Sequence, residues 1–239
     1  MYSNDLAYIH EVGFGDFAEK VAPELVGILH RFGVRRGHIV EFGCGGGTVA
    51  RHLVDRGYDV HGYDISPAMI RMARARVPEA RFGVASLTRL RIPRCDAAIA
   101  VGEVVTYASG GLAAIARFFR RTYRALGPGG VLLFDFIESA ERRTYPAKSR
   151  AGADWAVVLR ADFDETRRML TRRITMFRKI GGTYRRSDET HRVRVYSRDE
   201  IGAALRDAGF LVHMRRSFGS VRLIAGDVAV VAVKGQRKR

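Results

Sequence analysis

Apolar and polar residues follow two kinds of pattern along the first part of the chain. Short apolar runs predict buried strands, and the stretches between them carry apolar residues at helical spacing. The clearest helix is Leu112–Leu126, whose apolar residues predict one stripe that faces the core. The predicted strands are His38–Phe42, Asp59–Tyr63, Ala80–Val84, Ala97–Val101 and Val131–Phe136. Strands that alternate with helices predict an α/β domain with a mainly parallel sheet.

The rhythm changes from about Tyr145, where strand-like segments follow one another and Gly181–Gly182 predicts a hairpin turn. We interpret this stretch as an antiparallel insertion with strands at Trp155–Asp162, Arg168–Lys179 and Thr183–Tyr196. A capping box formed by Ser197 and Glu200 then predicts a new helix. The remaining predicted elements are the helix Arg198–Ala208 and the strands Leu211–Arg215 and Asp227–Val233.

Two further features concern turns and helix starts. Gly13 and Gly15 are expected to break any long helix near the N-terminus. The next helix is predicted over Phe17–Phe32, and Pro23 favours a helix start within that span. The glycine-rich stretch 127–130 predicts a turn before the fifth strand.

The first strand runs into a glycine-rich loop with the sequence IVEFGCGGGT. Glu41 precedes alternating glycines at Gly43, Gly45 and Gly47, a spacing that differs from the dinucleotide pattern G-x-G-x-x-G. A strand, a glycine loop and a helix form the layout of a nucleotide-type site, since glycine lets the backbone approach a ligand. Asp64 ends the second strand about 20 residues later, where a carboxylate can accept both hydroxyl hydrogens of a ribose.

Three motifs resemble those of class I S-adenosylmethionine-dependent methyltransferases: IVEFGCGGGT, YDISPAMIRMARAR and LGPGGVLLFDF. The resemblance extends from Ile39 to the end of the chain. It implies a doubly wound α/β fold with a seven-stranded, mostly parallel sheet, an antiparallel last strand and a small antiparallel insertion after the fifth strand. The expected methyltransferase domain comprises residues 1–144 and 197–239, and residues 145–196 are expected to form a lid over the acceptor site.

The same resemblance implies S-adenosyl-L-methionine as the cofactor. Ser66 and Pro67 are expected to start the helix after Asp64. The sequence departs from the family at Ser86, where an aspartate is common, and at Cys95, where an aromatic residue is common. The residues expected to bind the cofactor are Glu41, Gly43, Cys44, Gly45, Gly47, Asp64, Ile65, Met69, Ser86, Leu87, Val101 and Gly102.

The acceptor side is expected at the carboxyl end of the fourth strand and beneath the insertion. The candidate catalytic residues are Glu103, Tyr107, His191 and Arg194, and the candidate substrate-binding residues are Tyr8, Phe14, Asp135, Trp155, Tyr184 and Tyr196. Each of these residues except Asp135 has an alternative, structural role. Glu103 is either a base or a surface acid, and Tyr8 and Phe14 either line the site or pack the first helix. Strand alternation allows at most one of His191 and Arg194 to point inward.

Composition leaves the predicted fold unchanged and bears only on partners and location. The chain of 239 residues carries a formal net charge of +16, which indicates either a polyanionic partner such as RNA or an arginine-rich protein. Its two cysteines do not form a disulfide framework, no apolar run reaches the about 20 residues of a membrane helix, and a cytoplasmic enzyme is expected. No cysteine–histidine cluster has zinc-like spacing, so no metal is predicted.

The leading interpretation is a methyltransferase that transfers a methyl group by in-line displacement to nitrogen or oxygen of a small molecule. The alternative is an RNA or protein methyltransferase that uses the basic surface, and a non-enzymatic cofactor-binding module ranks last. The pattern specifies neither the acceptor atom nor the oligomeric state.

Overall fold

The computed structural model describes residues 3–139 and 144–235. The helices are α1 (Asn4–Phe14), α2 (Asp16–Arg31), α3 (Thr48–Val54), α4 (Pro67–Arg76), α5 (Gly111–Ala125) and α6 (Arg198–Asp207), with a 3₁₀ turn at Val104–Tyr107. The strands are β1 (Gly37–Phe42), β2 (Tyr58–Asp64), β3 (Arg81–Val84), β4 (Cys95–Ala100), β5 (Leu126–Ile137), β6 (Tyr145–Ala151), β7 (Trp155–Asp164), β8 (Met169–Ile180), β9 (Thr183–Arg194), β10 (Phe210–Arg215), β11 (Ser217–Phe218), β12 (Val221–Arg222) and β13 (Asp227–Lys234).

The main sheet has seven strands in the order β10-β13-β5-β4-β1-β2-β3. Strands β1 to β5 pair in parallel, and β13 pairs antiparallel with both β5 and β10. The predicted seven-stranded, mostly parallel sheet with an antiparallel last strand is therefore confirmed. Because β1 lies between β4 and β2, the carboxyl ends of these three strands meet at one edge of the sheet.

Both faces of the sheet are covered, which is why its strands are apolar on both sides. Ile39 points into a core cluster shared with α2, α3 and α4, whereas Val40 points into a second cluster shared with α5 and α6. The amphipathic stripe predicted on Leu112–Leu126 lies in the second cluster through Ile115, Phe118 and Phe119, each fully buried. The two clusters hold the strand ends at a fixed spacing.

The insertion between β5 and α6 is an antiparallel sheet in the order β6-β7-β8-β9. We call this sheet, residues 145–194, the lid sheet. Its inner face packs at one end on Ile137, and at the other end on Leu6 and Ile9 of α1. The first strand, β6, was missed because the segment YPAKSRA combines proline and basic residues, which are tolerated at a sheet edge.

Three other predictions need correction. Pro23 lies inside α2 instead of starting it, since the buried residues Val21 and Leu25 on either side anchor one continuous helix. The glycine-rich stretch 127–130 belongs to β5, where it forms an irregularity between the pairs Cys95–Leu126 and Ala97–Val131. The N-terminal segment forms the helix α1, which includes Gly13, so the predicted break is wrong at Gly13 and confirmed at Gly15, which separates α1 from α2.

The predicted helix caps are confirmed at two places. The Ser66 hydroxyl accepts from the Met69 amide with Pro67 in the first turn of α4. Ser197 and Glu200 form the reciprocal capping box of α6. Among the described residues, no helix has both the length and the apolar character required to span a membrane.

Candidate active site

The glycine loop and Asp64 lie together at the carboxyl edge of the sheet. The Gly45 amide donates to Asp64 Oδ2 at 3.2 Å, and the Ser66 amide donates to Asp64 Oδ1 at 2.8 Å. Gly43, Gly45 and Gly47 have left-handed backbone angles, with φ of 63°, 52° and 84°. A side chain at Gly45 would meet nothing within 4 Å, so the loop leaves open space beside the carboxylate.

The first helix closes over this loop. The Gly46 amide donates to Glu11 Oε1 at 3.3 Å, and Glu11 forms an ion pair with Arg76 at 2.7 Å. Arg76 also donates to the Gly46 carbonyl at 2.9 Å and to the Thr48 hydroxyl at 2.6 Å. An acid from α1 and a base from α4 thus hold the middle of the loop. Neither Glu11 nor Arg76 was singled out in the sequence.

Glu41 lies beneath the loop in a buried, acidic position. Burial and the nearby Asp64 carboxylate raise the pKa of Glu41 to about 8. Its Oε2 atom is buried and has no hydrogen-bond partner among the residues that the structure describes. Cys44 is also buried, and burial raises the pKa of its thiol well above the usual value, so the thiol stays protonated.

The other predicted cofactor residues lie around this edge in different environments. Ile65 follows Asp64 and is exposed, whereas Met69 is buried in a small cluster with Ala7 of α1. The Ser86 hydroxyl bonds to the Thr88 hydroxyl at 2.9 Å in a local turn. Leu87 packs in the second core cluster, and Val101 packs against the first.

Glu103 follows β4 and has a strained backbone. Its φ of 63° lies in the left-handed region, which non-glycine residues rarely adopt and which often marks a functional position. The buried Asp135 carboxylate holds it there, because Gly102 N donates to Oδ1 at 2.7 Å and Glu103 N donates to Oδ2 at 3.1 Å. Burial and the Glu103 carboxylate raise the pKa of Asp135 to about 8, and these two amides oppose that rise.

Two lid-sheet side chains, Arg172 and His191, contact this loop, and a third, Glu189, contacts His191. Arg172 forms an ion pair with Glu103 at 2.8 Å and donates to the Tyr107 hydroxyl at 3.1 Å. His191 is paired with Arg172 across the two strands and contacts the Tyr107 ring edge to face at 5.8 Å. His191 Nε2 lies 2.9 Å from Glu189 Oε2. We call Glu103, Tyr107, Arg172, Glu189 and His191 the acceptor-side cluster.

The acceptor-side cluster adjoins the glycine loop. A Cβ atom built at Gly43 would lie 2.4 Å from Val104, the residue after Glu103. The loop after β4 and the loop after β1 are therefore in direct contact. On the lid sheet the cluster lies between the two apolar patches that pack on Ile137 and on α1.

The N-terminal aromatic residues pack against the lid sheet. Tyr8 donates to Asp154 at 2.8 Å, and the Arg178 guanidinium lies 3.6 Å from the centre of its ring. Trp155 is buried and contacts Gly13, whose missing side chain makes room for the indole. Phe14 is partly exposed, 6.3 Å from Trp155. These contacts attach α1 to the lid sheet.

Three predicted site residues lie apart from these groups. Arg194 is exposed on the opposite face of β9 from the buried His191, as strand alternation requires. Tyr184 is 56% exposed and lies next to the hairpin at the far end of the lid sheet. Tyr196 is fully buried in the second core cluster.

Sequence reasoning missed Arg172, Glu189, Glu11 and Arg76. The inward direction of Arg172 could be predicted from the sequence. Leu170, Ile174 and Met176 occupy alternate positions along β8 and place position 172 on the same inner face. Glu189 lies two positions before His191 and shares its face for the same reason. Glu11 and Arg76 carried no such signal, since their meeting depends on how α1 packs across α4.

Comparison with known proteins agrees with this geometry. Residues 39–130 match the family described as a methyltransferase domain. The chain is 25% identical over 224 residues to the dTDP-3-amino-3,6-dideoxy-alpha-D-glucopyranose N,N-dimethyltransferase of Streptomyces fradiae. This alignment covers 88% of this chain and 86% of that protein.

Two solved structures show the same fold. An S-adenosylmethionine-dependent methyltransferase from Clostridium acetobutylicum has a TM-score of 0.84 at 16% identity, covering 97% of this chain and 98% of that one. The sugar N-methyltransferase KedS8 from Streptoalloteichus has a TM-score of 0.80 at 20% identity, covering 98% and 94%. With its sheet order and its glycine loop beside Asp64, the chain has the fold of these S-adenosylmethionine-dependent methyltransferases, and its residues 39–130 match a methyltransferase domain.

Proposed function

We propose that the chain methylates an amino group on a small, negatively charged acceptor of the amino-sugar nucleotide type. The observation that carries this proposal is the strained Glu103, held by Asp135 and Arg172 beside the glycine loop. A protein maintains such a conformation only where the surroundings enforce it. Here the enforcing groups are a buried acid and a lid-sheet arginine, at the edge where α/β sheets bind ligands.

The residues of the glycine loop fit S-adenosylmethionine. Asp64, which already accepts the Gly45 amide, would accept from the ribose hydroxyls, while the glycines bring backbone amides near the amino-acid end. The Glu41 Oε2 atom is buried without a partner among the described residues, so a cationic amino group would supply what it lacks. When bound, the cofactor supplies an electrophilic methyl group for in-line displacement.

The acceptor-side cluster would position the nucleophile and manage its proton. An amine must be neutral to attack, so a nearby base raises the reactive fraction. We assign this role to His191, whose ring nitrogen is oriented by Glu189 at 2.9 Å. Tyr107 and Glu103 are fixed by Arg172 and would hold the acceptor in place, which lowers the entropic barrier.

Two observations favour an anionic sugar acceptor. The formal net charge of +16 attracts anions over long range and so favours a nucleotide-linked substrate. The Streptomyces fradiae relative, similar along 88% of this chain, is named as acting on a dTDP-linked amino sugar. The lid sheet, residues 145–194, would cover the acceptor and exclude water. We also propose a cytoplasmic location, since Cys44 and Cys95 are buried free thiols.

The direct test is transfer of a labelled methyl group to a panel of acceptors. We expect product with a dTDP-linked amino sugar and none with the same sugar nucleotide that carries a hydroxyl in place of the amine. Free amino sugar without the nucleotide is expected to react poorly. Methylation of structured RNA but of none of the sugar nucleotides would reject the proposal in favour of a nucleic-acid substrate.

Replacing Asp64 with alanine is expected to weaken S-adenosylmethionine binding by roughly 10- to 100-fold, because a hydrogen bond to a charged group is worth about 1.5–3 kcal/mol. Isothermal titration calorimetry measures this change. Asp55→Ala is the matched control, since Asp55 lies at the end of α3 and pairs with Arg51 on the surface. Equal affinities for the two variants would remove Asp64 from the cofactor site.

A further inference from the structure

A second group of polar side chains lies at the opposite edge of the main sheet. His38 is near the start of β1, Asp59 is near the start of β2, and His61 is in the middle of β2. Their strand register pairs His38 with Asp59 and Val40 with His61. Since side chains alternate along a strand and paired residues share a face, all three point to the same side. The ligand atoms that they offer all lie within 4.8 Å of one another.

The two histidines present nitrogen atoms that lack partners. His38 Nδ1 lies 2.6 Å from the Arg94 carbonyl oxygen, which can only accept, so Nδ1 carries the proton and Nε2 carries a lone pair. The Nε2 atoms of His38 and His61 are both buried without hydrogen-bond partners among residues 3–139 and 144–235. The rings meet edge to face with centroids 4.4 Å apart. Leaving two such atoms unsatisfied is unfavourable.

We propose that His38, Asp59 and His61 bind a divalent transition-metal ion of the zinc class, with water as the fourth ligand. Two imidazoles and one carboxylate form a donor set that suits Zn²⁺ and not Mg²⁺ or Ca²⁺, which prefer oxygen ligands. The hydrogen bond from His38 Nδ1 to a backbone carbonyl is the outer-shell contact that orients metal-binding histidines. The pair of unsatisfied nitrogens is the second observation that points to a ligand.

The required rearrangement is small. Ligands about 2.0–2.1 Å from a tetrahedral zinc ion lie about 3.4 Å from each other, so each distance between two ligand atoms shortens by at most about 1.4 Å in binding. Asp59 is exposed, and its carboxylate lies within 4.8 Å of the ligand nitrogens of the two rings. Arg81 on β3 pairs with His61 in the sheet register, and the Asp59 carboxylate offsets its positive charge.

The site would be structural. It lies in the amino-terminal halves of β1 and β2, whereas the glycine loop follows β1 and Asp64 ends β2. An ion there would fasten together the two strands that carry Glu41 and Asp64. Linear sequence did not reveal it, because His38 is 21 positions from Asp59 and only the β1–β2 register brings them together.

The test is a Zn²⁺ titration of the full chain, stripped of metal with a chelator, in a non-coordinating buffer. We expect one equivalent to bind, and we expect Co²⁺ bound in its place to give the visible absorption bands of a tetrahedral complex. Added Zn²⁺ is expected to raise the melting temperature of the wild type. His38→Ala and His61→Ala are each expected to weaken binding at least about 10-fold and to abolish the shift in melting temperature.

The matched control is His213→Ala, an exposed histidine on β10, which is expected to bind Zn²⁺ as the wild type does. If an alanine variant does not fold, Asp59→Asn at its exposed position serves instead, with weaker binding but an unchanged melting temperature in the absence of metal. Absence of stoichiometric Zn²⁺ binding overturns the proposal. Unchanged affinity in the His61 or Asp59 variant overturns it too, since the ion then binds elsewhere on the chain.

Discussion

Replacing Arg172 with methionine is expected to lower the free energy of unfolding by about 3–5 kcal/mol, because it removes the guanidinium that pairs with the largely buried Glu103 carboxylate. The ion pair between Arg172 and Glu103 spans 2.8 Å, and the two side chains are only 17% and 14% exposed. Arg172 also donates to Tyr107, so one substitution releases both residues. Denaturant unfolding measures the loss, and methyl transfer is expected to fall with it.

Arg173→Met is the matched control. Arg173 is the next residue on the same strand, but it points outward and pairs with the exposed Asp162. An exposed ion pair contributes about 0–1 kcal/mol, so this variant is expected to stay near the wild type. Similar losses at positions 172 and 173 would contradict the buried-pair argument.

A double-mutant cycle separates the ion pair from general packing. Glu103→Gln removes the negative charge and keeps the shape of the side chain. Combined with Arg172→Met, it is expected to recover part of the stability that Arg172→Met loses alone, because no uncompensated charge remains. Additive losses within about 0.5 kcal/mol would mean that the two residues do not interact.

The sequence predicted the main sheet well because its signals are local and repeated. Apolar runs specify β1, β4 and β5, and side chains such as Ser66 and Ser197 start helices through their own hydrogen bonds. Where a signal was mixed, prediction failed. The basic, proline-containing edge strand β6 was missed, and Pro23 suggested a helix start that the packing of α2 overrides.

The residues of the candidate site also fall into those with a local sequence signal and those without one. The glycine loop and Asp64 are adjacent motifs on neighbouring strands, so their meeting followed from parallel pairing alone. Arg172, Glu189 and Glu11 reach the site from the lid sheet and from α1, and their approach depends on packing between distant segments. His38, Asp59 and His61 likewise needed the strand register. Strand alternation did correctly limit His191 and Arg194 to opposite faces.

Alanine substitutions in the glycine loop are expected to give the second large effect, and Gly45 serves as the control for Gly43 within the loop. Gly43 and Gly45 both have left-handed backbones, so alanine at either position costs about 1–2 kcal/mol in backbone strain. Only at Gly43 does the new methyl group collide with a neighbour, since its Cβ would lie 2.4 Å from Val104. At Gly45 the methyl group meets nothing within 4 Å.

Gly43→Ala is therefore expected to destabilise the protein by about 1–3 kcal/mol more than Gly45→Ala does, the usual range for overpacking. Gly27→Ala in α2 is the control for the glycine-to-alanine change itself, and is expected to stabilise by about 0.5–1 kcal/mol, because its site is open and helical. Adding Val104→Ala to Gly43→Ala removes the colliding atoms and is expected to recover the excess loss.

Calorimetric titration should show the reverse order for cofactor affinity. Gly45→Ala fills the space beside Asp64, so it is expected to weaken cofactor binding more than Gly43→Ala does while the fold persists. Equal stability losses at positions 43 and 45, without rescue by Val104→Ala, would contradict a tight contact between the glycine loop and the loop that carries Glu103.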